Sequence, residues 1–431
     1  MGIEKVKAKL NEIIDQAQIR LDLETAGNPA LRRAIHIVES FLQKTGRVCY
    51  GGQAINAQLP QKDQFYNPET SLPDYDFFSP DAKVDTDSLI ADFKQAGYTE
   101  ISKRIGIHEG TIKIYVNFTA IADITQVIPD FYENISKKSV SVNGIHYADP
   151  VFLRMMMYLE LSRPRGQLER WNKVYERLTF LDNAHPLALC KNRTPPIYES
   201  QAASQTRPNI VRFMIAKKRV FMGADIEVLY RPNGARSAAS RTKFLLHGSA
   251  PVIFLSPDAD MDGEQLSEIT HTRKVVIKGY QNILPAMTAL YSGDDLVALI
   301  VQEEACHSIV SFPLTKHRHL RAASLDTLLT FLIGLYYRDD ISIMAQDSLL
   351  CWLKQYIDLS NRYKAKPTKL IPAFSIECSG YQTTFASLLR AKGVRIEAER
   401  QKISSGKRIN KTVKAKRDVY VNYGTRKSRH H

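Results

Sequence analysis

The chain has 431 residues, with 59 Lys+Arg against 45 Asp+Glu, a net charge of +14 and a pI near 9.4. Its 44% hydrophobic and 24% charged residues are ordinary globular proportions, which exclude a disordered or fibrous chain, and the length predicts two or three domains. No apolar run opens the N-terminus, and no stretch approaches the roughly 20 apolar residues of a membrane span. Five cysteines (Cys49, Cys190, Cys306, Cys351 and Cys378) are scattered without C-x-x-C spacing. The expectation is a soluble cytoplasmic protein with neither a disulfide framework nor a zinc site.

In chain order, Ile3, Val6, Leu10, Ile13, Ile14, Ala17 and Leu21 recur at helical spacing. Asn28-Pro29 supplies a cap and first-turn pair for a second helix that stops at Gly46. Residues 1–45 are therefore a helical segment. A short strand, Arg47 to Tyr50, then meets Gly51-Gly52 at the start of a helix. Leu72 to Phe78 reads as a strand ending at Ser79-Pro80, and Asp85 to Ala96 as a capped helix. Residues 110–117 and 120–125 are β-branched strands, followed by a helical block from Pro150 to about Leu181. The Pro-, Ser-, Thr- and Gln-rich residues 191–209 predict a linker.

Beyond it lies a weak repeat. Arg47-Val48-Cys49-Tyr50-Gly51 has a counterpart in Arg219-Val220-Phe221-Met222-Gly223, and Phe77-Phe78-Ser79-Pro80-Asp81-Ala82 in Phe254-Leu255-Ser256-Pro257-Asp258-Ala259. Such self-similarity predicts a duplicated domain. Overlaying the two strings puts Asp74 on Pro251, Asp76 on Ile253 and Asp123 near His307, so the second copy is expected to be a scaffold.

Asp74 and Asp76, two apart on one predicted strand, project from the same face. Paired carboxylates are costly unless a hard divalent cation neutralises them. Asp123, on a later strand, adds a third if the strands are neighbours, and three carboxylates suit a pair of ions for in-line phosphoryl displacement. Gly51 and Gly52 allow a close backbone approach to phosphate oxygens. Positive charge gathers in two places. Arg163, Arg170, Lys173 and Arg177 lie in the helical block, and Lys407, Arg408, Lys411, Lys414, Lys416 and Arg417 lie in a basic tail. Both are candidate nucleic-acid-binding groups.

Gly51-Gly52, Asp74-Tyr75-Asp76 and Asp123 match the pattern of the polymerase-β-like nucleotidyltransferase superfamily. The strings GGQAIN, DYDFFSPD, HEGTIKIYVNFTAIADIT and FLRMMMYLELSRPRGQLERWNKVYERL resemble the poly(A) polymerase catalytic subunits of poxviruses and other large nucleocytoplasmic DNA viruses. The resemblance implies an α+β fold with a catalytic nucleotidyltransferase domain at 46–190, a degenerate copy at 210–395 and a basic tail at 396–431. It further implies Asp74, Asp76 and Asp123 as ligands of Mg²⁺ or Mn²⁺, and Gly51 and Gly52 beside the ATP triphosphate. The implied reaction is untemplated addition of AMP to RNA 3′ ends, in the infected-cell cytoplasm or the virion. The implied partners are RNA, ATP, and either a second copy of the chain or a separate processivity subunit, with no membrane. The alternatives are another untemplated RNA nucleotidyltransferase and an inactive RNA-binding or processivity module.

Overall fold

A computed structural model of the chain describes residues 3–67, 69–188, 198–231, 234, 237–280 and 283–404. Helix α1 (Ile3–Gly27) buries only Ala26, so its apolar stripe faces outward. Helix α2 (Pro29–Thr45) starts where Asn28 Oδ1 accepts from the amides of Ala30 and Leu31 at 3.0 and 3.2 Å. It ends at Gly46, at φ +62°. Both boundaries match the expected cap and stop.

Next come β1 (Val48–Tyr50), α3 (Gly51–Ala57), β2 (Tyr75–Ser79), α4 (Ala82–Gln95), β3 (Ile101–Ile105), β4 (Thr111–Val116) and β5 (Thr119–Gln126). They are followed by α5 (Pro129–Lys137), β6 (Val140–Val142), β7 (Ile145–Tyr147), α6 (Pro150–Leu161) and α7 (Trp171–Ala184). The helical block is thus two helices, and β2 begins after Asp74, because Pro73 has no N–H to give a ladder.

The second half repeats the scheme. It contains α8 (Gln201–Ala216), β8 (Val220–Phe221), α9 (Glu227–Tyr230), α10 (Ala238–Leu246), β9 (Val252–Ser256), α11 (Ala259–Thr270), β10 (Arg273–Ile277), β11 (Met287–Ser292) and β12 (Asp295–Gln302). It closes with β13 (His307–Pro313), β14 (His319–Ala323), α12 (Leu325–Tyr336), α13 (Gln346–Ala365) and β15 (Cys378–Ser379). The expected linker is corrected over 201–209. Ser200 caps α8 by accepting from the Ala203 amide at 3.0 Å, and Ala203, Arg207, Ile210, Val211 and Met214 bury one face. The polar composition hid that helical spacing. Residues from Phe385 onward form a separate unit containing α14 (Phe385–Ser404), which runs through the expected boundary at 395/396.

The duplication is borne out strand for strand. One sheet has the order β3-β4-β5-β2-β1-β7-β6, and the other β10-β11-β12-β9-β8-β14-β13, extended by β15. In each, the second and third strands from the edge are antiparallel with a register shift, and the third and fourth are parallel. The repeated strings are the corner after the central strand, matched atom for atom. Arg47 Nε donates to Asp85 Oδ2 at 2.6 Å and Arg219 Nε to Asp262 Oδ2 at 2.6 Å. Ser79 and Ser256 donate to the same carboxylates at 2.5 and 2.6 Å. Asp81 and Asp258 cap α4 and α11 by accepting from the amides of Val84 and Met261. The conserved string is therefore a structural corner and carries no chemistry.

Strand register corrects one assignment. Asp76 pairs with Asp123 in the first sheet, and its equivalent Ile253 pairs with Leu299 in the second. The counterpart of Asp123 is Leu299, and His307 belongs to β13 on the far side of the sheet. The cysteine expectation is corrected too: Cys306 and Cys378 form a disulfide across 72 residues. Pairing of β13 with β15 sets Ser308 opposite Cys378 and so brings the two thiols together, a proximity invisible in linear spacing.

Candidate active site

The open face of the first sheet carries the acids. Tyr50, Asp76 and Asp123 are opposite one another on β1, β2 and β5, and therefore share a face. Asp74 stands just before β2, partly open to solvent. On β4, Lys113 is opposite Asp123 and forms an ion pair with its Oδ2, while Oδ1 of Asp123 is buried with no hydrogen-bond partner. Sequence reasoning missed Lys113. Its signal was the alternation Thr111-Lys113-Tyr115 against buried Ile114 and Val116, legible only once the register with β5 was known.

Electrostatics mark the cluster. Burial, then Asp74 and Asp123, push the Asp76 carboxyl up to about 8, against the pull of Lys113 and Arg170. Desolvation by surrounding atoms, then Asp123, pushes Asp74 up to about 6. Burial pulls on Lys113, but Asp123, Asp74 and Asp76 raise it overall. Crowded carboxylates retain protons because no neighbouring charge fully balances them. Among the described residues, no three His, Cys, Asp or Glu side chains are drawn together as a ready cage for one ion; Lys113 occupies Asp123 where a cation would otherwise balance it. The unsatisfied Asp123 Oδ1 and the raised carboxyls of Asp76 and Asp74 nearby are hard oxygens of the kind that fits a divalent cation of the Mg²⁺ class.

Gly51 opens α3 at φ +76°, and a Cβ there would lie 2.5 Å from Asp76 Oδ2. A Cβ on Gly52 would meet Tyr66 Oη at 2.7 Å and Arg177 Nη1 at 2.8 Å. A side chain at either position would push these groups aside, and at Gly51 it would also have to adopt the left-handed backbone. Gly51→Ala is expected to displace Asp76 and impose a left-handed backbone on alanine. It should lower nucleotide transfer at least about tenfold in a primer-extension assay, while the far-ultraviolet circular dichroism is unchanged.

The basic residues of α7 arrive at the same mouth. Arg177 donates to Tyr66 Oη at 2.8 Å and lies over the Phe65 ring at 4.2 Å. Lys173 is lowered by burial and then by Arg177 and Arg170, and Arg170, paired to Glu160 at 3.1 Å, is near enough to favour the charged form of Asp76. Arg163 shares Glu160 with this group but faces the second half as well. It is half-buried in the turn after α6, near Glu304 and His307 of the second half, with Nε unpaired. Trp171 and Tyr175 pack against Phe374, which engages both rings within the fold. His146 and His185 are hydrogen-bonded, to Ser139 Oγ and to the Gln58 carbonyl. Lys407, Arg408, Lys411, Lys414, Lys416 and Arg417 lie outside the described residues.

In the second half the same positions hold Pro251, Ile253, Leu299 and, opposite Leu299, Ala289. Ile253 and Leu299 line a small apolar cavity with Phe331, Leu332 and Leu335 of α12. All carboxylates and the lysine are gone, and apolar side chains of α12 line the position they occupy in the first half.

This architecture is an α+β fold built on a mixed sheet that occurs twice, once with its acids and once without them. The comparisons narrow it: residues 36–167 match the family described as poly(A) polymerase catalytic subunit. A candidate poly(A) polymerase catalytic subunit of Acanthamoeba polyphaga mimivirus is 31% identical over 187 residues, covering 42% of this chain and 32% of that protein. Its counterpart from African swine fever virus (isolate Tick/Malawi/Lil 20-1/1983) is 23% identical over 197 residues, covering 44% and 41%. The matched segments thus span only about a third to two fifths of those relatives. The crystal structure of the Megavirus polyadenylate synthase shares the fold with a TM-score of 0.74 at 20% identity, covering 94% of this chain and 83% of that one. The resemblance read from the sequence strings is borne out. Among the described residues, no helix is long and apolar enough to cross a membrane.

Proposed function

We propose that the chain is a template-independent polynucleotide adenylyltransferase that adds AMP from ATP to RNA 3′ ends. The observation that carries this reading is the trio of Asp74, Asp76 and Asp123 on the open face of a polymerase-β-like sheet, with the Gly51 backbone pressed against Asp76. Asp74, Asp76 and Asp123 would hold Mg²⁺ or Mn²⁺, which when bound supplies charge neutralisation at the triphosphate and activation of the attacking hydroxyl. The chain's own groups prepare that arrangement. Lys113 keeps Asp123 in place, and Gly51 and Gly52 leave room for phosphate oxygens against the backbone. Arg170, Lys173 and Arg177 supply positive charge at the same mouth. The partners we propose are ATP and an RNA 3′ end, with either a second copy of the chain or a separate subunit for processivity. The viral relatives support a setting in the infected-cell cytoplasm or the virion.

The inactive-module alternative is disfavoured by the chain itself. Its second half is what such a module looks like, with Ile253 and Leu299 where the acids would be. The test is incubation of the protein and a labelled RNA primer with Mg²⁺ or Mn²⁺ and each nucleotide separately. ATP alone should lengthen the primer. Equal use of all four nucleotides would replace adenylylation by a broader transferase, and no extension under either metal would defeat the proposal.

A further inference from the structure

The tip of the hairpin joining β4 to β5 differs between the two halves in a way the fold does not require. In the first half, Asn117 and Phe118 make the turn at φ +48° and +64°. A two-residue turn with both centres left-handed favours Asn-Gly, and a bulky side chain at the second position is an outlier. In the second half, the equivalent turn is Gly293-Asp294, where glycine alone takes the positive φ. The half without acids therefore makes this turn without strain. The half with acids keeps a strained phenylalanine that is 79% exposed, and gains no packing from it. Strain retained at an exposed position points to use.

The surroundings indicate what it is used on. Lys113 and Tyr115 share the open face of β4, and Arg104, opposite Lys113 on the exposed edge strand β3, lies over the Tyr115 ring at 4.5 Å. An Arg over this Tyr recurs in the second half, Arg273 over Tyr291 at 5.0 Å, so the stack alone carries no function. In the first half it lies between Asp123 and Phe118, which are five residues or roughly 16 Å apart along β5. The sheet order then separates two sides of the acids. Gly51 follows β1 on one side of Asp76, whereas β5, β4 and β3 lead away on the other. Alternating cations and flat rings on an exposed strand pair match the chemistry of a single-stranded nucleic acid, whose phosphates meet the cations and whose bases stack.

We propose that the β4–β5 hairpin is an anchor for the single-stranded RNA upstream of its 3′ end, with a base stacked on Phe118 and the strand passing Arg104 toward Asp123. The inference rests on RNA being the substrate. It is tested by fluorescence anisotropy with a short labelled oligoadenylate, without metal or ATP, so that binding is read apart from chemistry. Phe118→Gly should weaken binding about tenfold, the order expected for losing a base-stacking platform. It should leave the melting temperature unchanged or raised, because glycine suits the turn. Phe118→Tyr, which keeps a ring, should bind like the parent. Arg104→Ala should weaken binding and, if a phosphate contact is lost, reduce the salt slope by about 0.7. Parental affinity in Phe118→Gly, or equal losses in Phe118→Gly and Phe118→Tyr, would overturn the proposal. So would a loss of RNA affinity matched by a fall in melting temperature. If the parent fails to extend primers yet Phe118→Gly loses RNA, the adenylyltransferase reading falls and the anchor stands. If the parent extends primers and Phe118→Gly binds normally, only the anchor falls.

Discussion

Asp76→Ala is expected to lower nucleotide transfer at least about a thousandfold, because it removes several kcal/mol of charge stabilisation at the reacting phosphate. Asp76 is the centre of the acidic group: it is opposite both Tyr50 and Asp123, and Gly51 packs directly on its carboxylate. Its removal also takes away a carboxyl whose charged form burial, Asp74 and Asp123 all oppose, so the scaffold should lose no stability. RNA affinity should persist, since the cationic side chains are untouched. The measurement is single-turnover primer extension beside anisotropy on the same preparation. Retention of more than about a tenth of parental activity would show that the transferred phosphate is handled elsewhere.

The second large effect is on stability. Arg207 is fully buried in α8 and donates to the carbonyls of Leu245 and Ala250 at 2.7 and 2.8 Å and to Asp225 Oδ2 at 2.7 Å. Gly248 makes room for it, as a Cβ there would lie 2.7 Å from the guanidinium carbon. Burial raises the Asp225 carboxyl, and Arg207 is the cation that opposes that rise. Arg207→Met strands a buried carboxylate and two carbonyls, which is expected to cost about 3–5 kcal/mol. Urea denaturation should show this as a lower midpoint. Adding Asp225→Asn to the same chain should recover part of the loss, because the orphaned charge is then gone. A midpoint within error of the parent would mean that the pair contributes nothing to this half.

The degenerate half illustrates how a fold outlives its chemistry. The Arg-Asp-Ser corner at the end of the central strand is kept in both halves to within 0.1 Å in its hydrogen bonds. The strand beside it has exchanged every acid for an apolar residue. Ile253 and Leu299 there line an apolar cavity with Phe331, Leu332 and Leu335 of α12. The two halves also meet through their equivalent helices, α6 against α12. Tyr337 Oη donates to Asp149 Oδ2 at 2.6 Å and the Ser308 amide to the Ser162 carbonyl at 2.7 Å.

By itself, the sequence determined many of the local elements and singled out the candidate acids. Asn28-Pro29 and Gly46 bound a helix, Gly51-Gly52 marks a strand-to-helix turn, and the Ser-Pro-Asp-Ala strings mark duplicated corners. These signals are local, because caps, turns and alternation depend on residues a few positions apart. Which distant residues meet was decided only by tertiary structure. Register put Lys113 on Asp123 and replaced His307 by Leu299 as the counterpart of that acid. Pairing of β13 with β15 joined Cys306 to Cys378, and the fold turned Arg163 inward while Arg170 reached Asp76. A one-residue change of register moves every side chain of a strand to the other face, and that choice is read only by pairing strands that lie far apart in the chain.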